Sequence, residues 1–145
     1  GVVLSPAGGM LQQVLPLFLA GLGGPVATSG GESHDGSPWL SWIGADDIAG
    51  AFAHAVLDDG VTGPVNAVAP EPVTAKEFAT VLGRVLRRPA LIPVPEAGPR
   101  LLLGEEGRVE TVAADQKVVA DRLVSSGYEM RDPELEGALR HVLGR

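Results

Sequence analysis

The sequence predicts an α/β chain that closes in a small, mostly helical unit, and three observations carry this. Short β-branched or apolar runs stand at Val2–Leu4, Trp39–Ile43 and Val65–Ala69, bounded by Gly, Pro, Ser or Asp. Between and after them, apolar residues recur at helical spacing from Met10 to Phe18, from Ile48 to Val56 and from Phe78 to Leu86. Towards the C-terminus the strand-like runs stop and two helical stripes remain. We therefore divide the chain into residues 1–92, carrying strands, and residues 93–145, a small helical domain.

The first run, Val2-Val3-Leu4 before Ser5-Pro6, starts with no preceding turn or cap, as though a longer fold were entered part-way. Gly8-Gly9 opens a helix carrying Met10, Leu11, Val14, Leu15 and Phe18, which Pro16 should kink and Gly21 should end. From Leu22 to Pro38 there are few apolar anchors, and Thr28 to Pro38 should be the most mobile internal segment. Trp39 to Ile43 reads as one strand. Asp46 and Asp47 read as caps of a helix that carries Ile48, Phe52, Ala55 and Val56 on one face. Val65 to Ala69 reads as a strand buried on both sides, like Val2–Leu4. Thr74-Ala75-Lys76-Glu77 is a capping box before Phe78, Val81, Leu82, Val85 and Leu86. After Pro89, Leu91 to Pro95 should be extended and Arg100 to Gly104 a short helix. Two further helices are predicted, from about Asp115 to Ser126 and from Asp132-Pro133 through Leu143.

Composition narrows the function. At 145 residues and 45% hydrophobic content the chain can build a real core. Its net charge of -7, with basic residues scattered apart from Arg84, Arg87 and Arg88, offers no stripe for a phosphate backbone, so nucleic acid is not an expected partner. The Arg84, Arg87 and Arg88 group reads as the wet end of a helix. Without cysteine there are no disulfides or thiolate metal sites, and a cytoplasmic setting is expected. No run approaches the ~20 apolar residues of a membrane span, so a membrane is not expected either. His34 with Glu32 and Asp35 would be one imidazole on a loop, and no metal site is expected.

In order, the motifs are Val-Val-Leu-Ser-Pro, Gly-Gly-Met-Leu, Gly-Leu-Gly-Gly-Pro, Trp-Leu-Ser-Trp-Ile, Asp-Asp-Ile, Gly-Pro-Val-Asn-Ala-Val-Ala-Pro and Pro-Val-Thr-Ala-Lys-Glu-Phe. This series resembles the second half of a bacterial epimerase-family group, atypical extended short-chain dehydrogenase/reductases related to nucleotide-sugar epimerases. Arg88-Pro89-Ala90, Pro93-Val94-Pro95 and the tail through Leu139 resemble the small C-terminal domain of unknown function that ends those proteins. The resemblance implies the C-terminal part of a Rossmann-like fold and a parent protein using NAD or NADP. Hydride would move there between C4 of the nicotinamide and a carbinol or ketone carbon.

The parent's glycine-rich phosphate turn and Tyr-x-x-x-Lys pair lie in the other half. Gly21 to Gly24 does not replace the turn, because no clear strand precedes it, and the one tyrosine, Tyr128, has Asp132 where lysine would stand. No catalytic residue is therefore assigned, and no bound cofactor is expected for this chain alone. Two departures stand out. The family's Gly-Ser-Gly-Arg-Gln before the tryptophan is replaced by the acid-bearing Ser29 to Pro38, and the family's histidine after Trp-Ile is Gly44.

By resemblance, Leu4 and Ser5 lie beside the nicotinamide, at the carboxyl end of a strand where ligands collect in parallel sheets. Trp39 and Trp42 read as core residues with the option of walling a substrate pocket, and Asn66, as a buried amide, either braces a loop or faces the ligand. Two functions follow. One is the substrate-binding half of an NAD(P)-dependent epimerase or oxidoreductase, inactive without its other half. The second is a non-catalytic remnant that binds a small ligand or protein through an exposed sheet edge. In either case the edge should be covered by the missing N-terminal half or by self-association.

Overall fold

The computed structural model describes residues 1–25, 37–88, 90 and 115–145. The expected extended segment at 91–95, the helix at 100–104, the boundary between 92 and 93, and nearly all of the 28–38 loop lie outside the described residues. The elements are β1 (Val2–Leu4), α1 (Gly9–Leu19), β2 (Trp39–Leu40), β3 (Trp42–Gly44), α2 (Ala45–Leu57), β4 (Val73–Thr74), α3 (Ala75–Leu86), α4 (Asp121–Ser125) and α5 (Leu135–Val142).

β1 pairs in parallel with β3, Val2 opposite Trp42, Val3 opposite Ile43 and Leu4 opposite Gly44. The single strand expected over Trp39 to Ile43 is divided. β2 pairs antiparallel with β4 instead, Trp39 opposite Thr74 and Leu40 opposite Val73. The break falls at Ser41, whose hydroxyl donates to the Gln116 carbonyl at 2.7 Å and accepts from the Val118 N–H at 2.9 Å. That exchange ties the chain to a segment expected to be helical. Residues 115–120 are not helical, and α4 begins only at Asp121. Their polar groups are committed to cross-links instead: the Asp115 carboxylate accepts from the Trp39 N–H at 2.7 Å, and the Val119 carbonyl accepts from Asn66 Nδ2 at 3.3 Å.

α1 runs through Pro16 and ends where predicted. Gly21 takes φ +77, a conformation costly for any residue with a Cβ, while the Leu22 N–H reaches back to the Leu17 carbonyl at 2.9 Å. α3 has the predicted capping box: the Glu77 N–H donates to Thr74 Oγ1 at 3.1 Å, and the Thr74 N–H donates to Glu77 Oε2 at 2.7 Å. The apolar stripe of α5 buries Leu135, Ala138 and Leu139. These join Leu4, Leu11, Trp42, Phe78 and Leu82 in one core, so the C-terminal helix and the strands share their buried surface.

Two burial expectations are corrected. Val3 is 38% exposed, so β1 is not buried on both sides. Residues 65–69 form no strand ladder: Val68 and Ala69 are buried and the Ala69 N–H donates to the Trp42 carbonyl at 2.6 Å, but Asn66 is exposed. Pro64 and Pro70 flank this segment and supply no N–H, so a ladder could not run on past either end of it. α2 turns Asp47 and Ala51 inward and leaves Phe52 and Val56 in solvent. The rotation follows from Asp47, whose buried carboxylate is held by backbone N–H groups of the C-terminal segment.

Candidate functional site at the strand ends

Parallel strands bring their carboxyl ends to one side, where ligands of open α/β sheets bind. Here that side is formed by Leu4 and Ser5, leaving β1, and by Gly44, where β3 passes directly into α2. Leu4 is fully buried in the core, so only its backbone faces this end. Ser5 is half-buried in a tight turn, bridged to Gly8, and its Oγ accepts from the Ala7 N–H at 3.2 Å.

Asp46 and Asp47 were expected as caps, yet neither accepts from the first amides of α2. Asp47, 2% exposed, accepts from the Arg131 N–H at 2.7 Å and the Asp132 N–H at 3.2 Å. The Tyr128 hydroxyl donates to the Asp47 carbonyl at 2.9 Å and stands 3.4 Å from its carboxylate. Burial first, and then the negative charge and hydrogen bonding of Asp47, hold the Tyr128 proton above the ordinary tyrosine range. Asp46 points outward. Its carboxylate lies 3.3 Å from Arg131 Nη1 and 3.3 Å from His141 Nε2, while His141 Nδ1 meets Asp132 Oδ2 at 2.5 Å. His141, on α5, thus has a carboxylate on each ring nitrogen. Arg131 and Asp46 are both mostly exposed, so their pairing orients more than it stabilises.

A second polar group lies at the far end of α2. His54 Nε2 is 2.9 Å from Ser126 Oγ and 3.8 Å from Asp58 Oδ2. Serine, histidine and aspartate do not form a nucleophilic triad here. Serine and aspartate address the same ring nitrogen, and the Ser126 hydroxyl donates to the Leu123 carbonyl at 2.7 Å. Among the described residues, no group of three or more His, Cys, Asp or Glu is placed to hold a metal ion.

The other residues singled out from sequence are not gathered at the strand ends. Trp42 is 1% exposed, with Nε1–H donating to the Glu71 carbonyl at 3.2 Å, and its ring belongs to the core. Trp39, on β2, is half-buried, with Lys117 Nζ 4.4 Å from its ring centroid. Asn66 is exposed and braces the 115–120 segment, so the premise of a buried amide does not hold. Conversely, Tyr128, Arg131, Asp132 and His141 escaped the sequence reading. More than eighty residues separate them from Asp46 and Asp47, and no local spacing announces the contact.

Comparison with known proteins places this geometry. Residues 94–142 match the family model described as a domain of unknown function, DUF1731. Over 144 residues the chain is 42% identical to the epimerase family protein SDR39U1 of Bos taurus, covering 99% of this chain and 46% of that protein. It is 34% identical over 145 residues to an epimerase family protein of Mycobacterium tuberculosis, again 46% of that protein. In three dimensions it matches the crystal structure of human epimerase family protein SDR39U1 with NADPH, with TM-score 0.83, 36% identity, and coverage of 99% of this chain and 46% of that one. Over nearly its whole length this chain is similar to epimerase family proteins.

It corresponds to the C-terminal part of those epimerase-family proteins and spans about half the length of the curated relatives it matches. The nucleoside-diphosphate sugar epimerase of Corynebacterium glutamicum has the same fold over 99% of this chain and 25% of its own, with TM-score 0.67 and 28% identity. The α/β, Rossmann-like class expected of the epimerase family is therefore the one observed. Its relatives are not confined to bacteria. No helix among the described residues is long and apolar enough to cross a membrane.

Proposed function

We propose that this chain is the substrate-side, C-terminal part of an NAD(P)-dependent epimerase- or oxidoreductase-like protein of the cytoplasm, inactive by itself. One observation carries the reading: a parallel β1–β3 pair, its carboxyl ends at Ser5 and Gly44, in a chain that superposes on 46% of an NADPH-bound relative. The fit to a dinucleotide is partial. Ser5 Oγ accepts from Ala7, which leaves its own proton for an acceptor such as a carboxamide oxygen beside β1. The residues needed to anchor a pyrophosphate are not among these 145, and neither is a Tyr-x-x-x-Lys pair.

When bound in the complete protein, a nicotinamide supplies hydride transfer. The part assigned to this chain is to hold one side of the ring with the Leu4–Ser5 backbone and hydroxyl, and to wall a small-molecule substrate site. Trp39, half-buried under Lys117, is better available for that wall than Trp42, whose ring and indole N–H are committed. The test is a titration of this chain with NADPH and with NADH, followed by fluorescence and calorimetry. Weak or no binding and no turnover are expected, and a low-micromolar dissociation constant for either dinucleotide would refute the assignment.

A further inference from the structure

α2 is fastened to the C-terminal part of the chain at both of its ends, and each fastening contains a histidine. At its last turn His54 Nε2 lies 2.9 Å from Ser126 Oγ. At its first turn Asp46 Oδ2 lies 3.3 Å from His141 Nε2, and the other ring nitrogen, Nδ1, is 2.5 Å from Asp132 Oδ2. The two histidines differ in the protons their partners require. The Ser126 hydroxyl gives its own hydrogen to the Leu123 carbonyl, so its oxygen accepts from His54 and one N–H on Nε2 suffices. Neutral and charged imidazole both offer that N–H. Asp58, 3.8 Å from the same nitrogen, ends α2 itself and joins nothing to the C-terminal part. His141 instead meets a carboxylate at each nitrogen, and an ionised carboxylate only accepts. Both contacts are hydrogen bonds only when both nitrogens carry a proton, which is the imidazolium form.

The other charged groups near His141 leave its second proton as the variable. Arg131 Nη1 shares Asp46 Oδ2 at 3.3 Å, and a guanidinium stays charged. Asp47 is turned to the backbone N–H groups of Arg131 and Asp132, with the Tyr128 hydroxyl beside it. On α5 itself Glu136 is held by Arg140, and from α3 by Arg84. β1 and β3, which also pack on α5, carry no ionisable side chain. Loss of one ring proton keeps the shorter contact, Nδ1–H to Asp132, and sets the Nε2 lone pair against the Asp46 carboxylate. Asp46 is mostly exposed, so its carboxylate can turn away into water.

We infer that His141 is a pH-operated latch on the first turn of α2: doubly protonated, it ties Asp46 to Asp132 and α5, and as pH rises and one ring proton leaves, Asp46 is released. The contribution is full at lower pH and lost at higher pH. Asp46 stands two residues beyond Gly44, where β3 ends, so the latch sets how firmly the turn beside the strand ends is held. The buried Asp47 clasp stays closed in both states, and no cofactor takes part.

The test is a double-mutant cycle on the whole chain, with Asp46→Asn, His141→Gln and the two together. Melting is followed at about pH 5.5 and about pH 8.5, where carboxylates are ionised throughout and, among the side chains, imidazole changes charge. The loss of the Arg131 pair in Asp46→Asn occurs in both backgrounds and cancels. The coupling should be about 2–4 °C of melting temperature at the lower pH, as for a partly exposed ion pair, and absent at the higher. A parallel cycle with His54→Ala and Ser126→Ala should give the same coupling at both. Nitrogen NMR of the His141 ring is the second readout: both nitrogens protonated at the lower pH, Nδ1 alone at the higher. An Asp46–His141 coupling no more pH-dependent than that of His54 and Ser126, or a ring that keeps its Nε2 proton at the higher pH, would overturn the inference.

Discussion

Removing the Asp47 carboxylate should cost more stability than its position on a helix start suggests. In an ordinary first turn, an aspartate contributes through the helix dipole, a few tenths to one kcal/mol. Here the carboxylate is 2% exposed and accepts two backbone N–H groups, from Arg131 at 2.7 Å and Asp132 at 3.2 Å. Hydrogen bonds to a charged group contribute about 1.5–3 kcal/mol each, and the longer one stands at the low end. Both donors are partly buried, so water replaces the lost acceptor only in part. Asp47→Ala should therefore lose about 3–4 kcal/mol, a large share of the ~5–15 kcal/mol that holds a domain folded. At about 2–4 °C per kcal/mol for chains near this size, the melting temperature falls by roughly 10 °C. Asp47→Asn keeps one acceptor oxygen but turns an NH2 group towards the second donor, and should lose about half as much. Urea unfolding followed by tryptophan fluorescence measures both, with hydrogen exchange at Arg131 and Asp132 as the local readout. A loss below about 1 kcal/mol for Asp47→Ala, with those two amides still protected, would show that the carboxylate does not hold the C-terminal segment.

Two further outcomes test the same region. Tyr128 is the one tyrosine, so tyrosinate absorbance reports it alone; its midpoint should lie above the ordinary value of 10.0 and fall towards it in Asp47→Ala. Because the folded chain holds this proton more tightly, its contribution is fully present below the ordinary value. It is lost as pH rises through the raised one, and Tyr128→Phe should remove that part of the alkaline fall in stability. Gly50→Ala would put a Cβ 2.3 Å from the Tyr128 hydroxyl oxygen and 3.2 Å from the ring carbon bearing it. It should cost about 1–3 kcal/mol, as overpacking does, and regain part of that in a Tyr128→Phe background; an unchanged melting temperature in the single variant would refute the close packing of α2 against Tyr128.

Several features of this protein follow from sequence because their physics is local. The Thr74–Glu77 box closes within one turn, Gly21 ends α1 through its own backbone freedom, and the stripe of α5 is a periodicity of a single segment. The order of weak motifs sufficed for the similarity to epimerase family proteins and for the α/β class, since such a similarity is a property of the whole string. What failed was decided between segments far apart in the chain. Ser41 breaks a plausible strand because Gln116 and Val118 meet its hydroxyl, and residues 115–120 forgo a helix for the same contacts. The apolar spacing of α2 does not say which face turns inward, and the N–H groups of Arg131 and Asp132 decide it by holding Asp47 inside while Phe52 and Val56 stay in solvent. Asn66, read as buried from its apolar neighbours, is exposed where it braces Val119. The cluster of Asp46, Arg131, Asp132 and His141 exists only because α5 folds back onto the end of β3. Periodicity shows which residues prefer to be buried. Which of them find a partner is set by the competing backbone and carboxylate groups that the tertiary fold brings beside them.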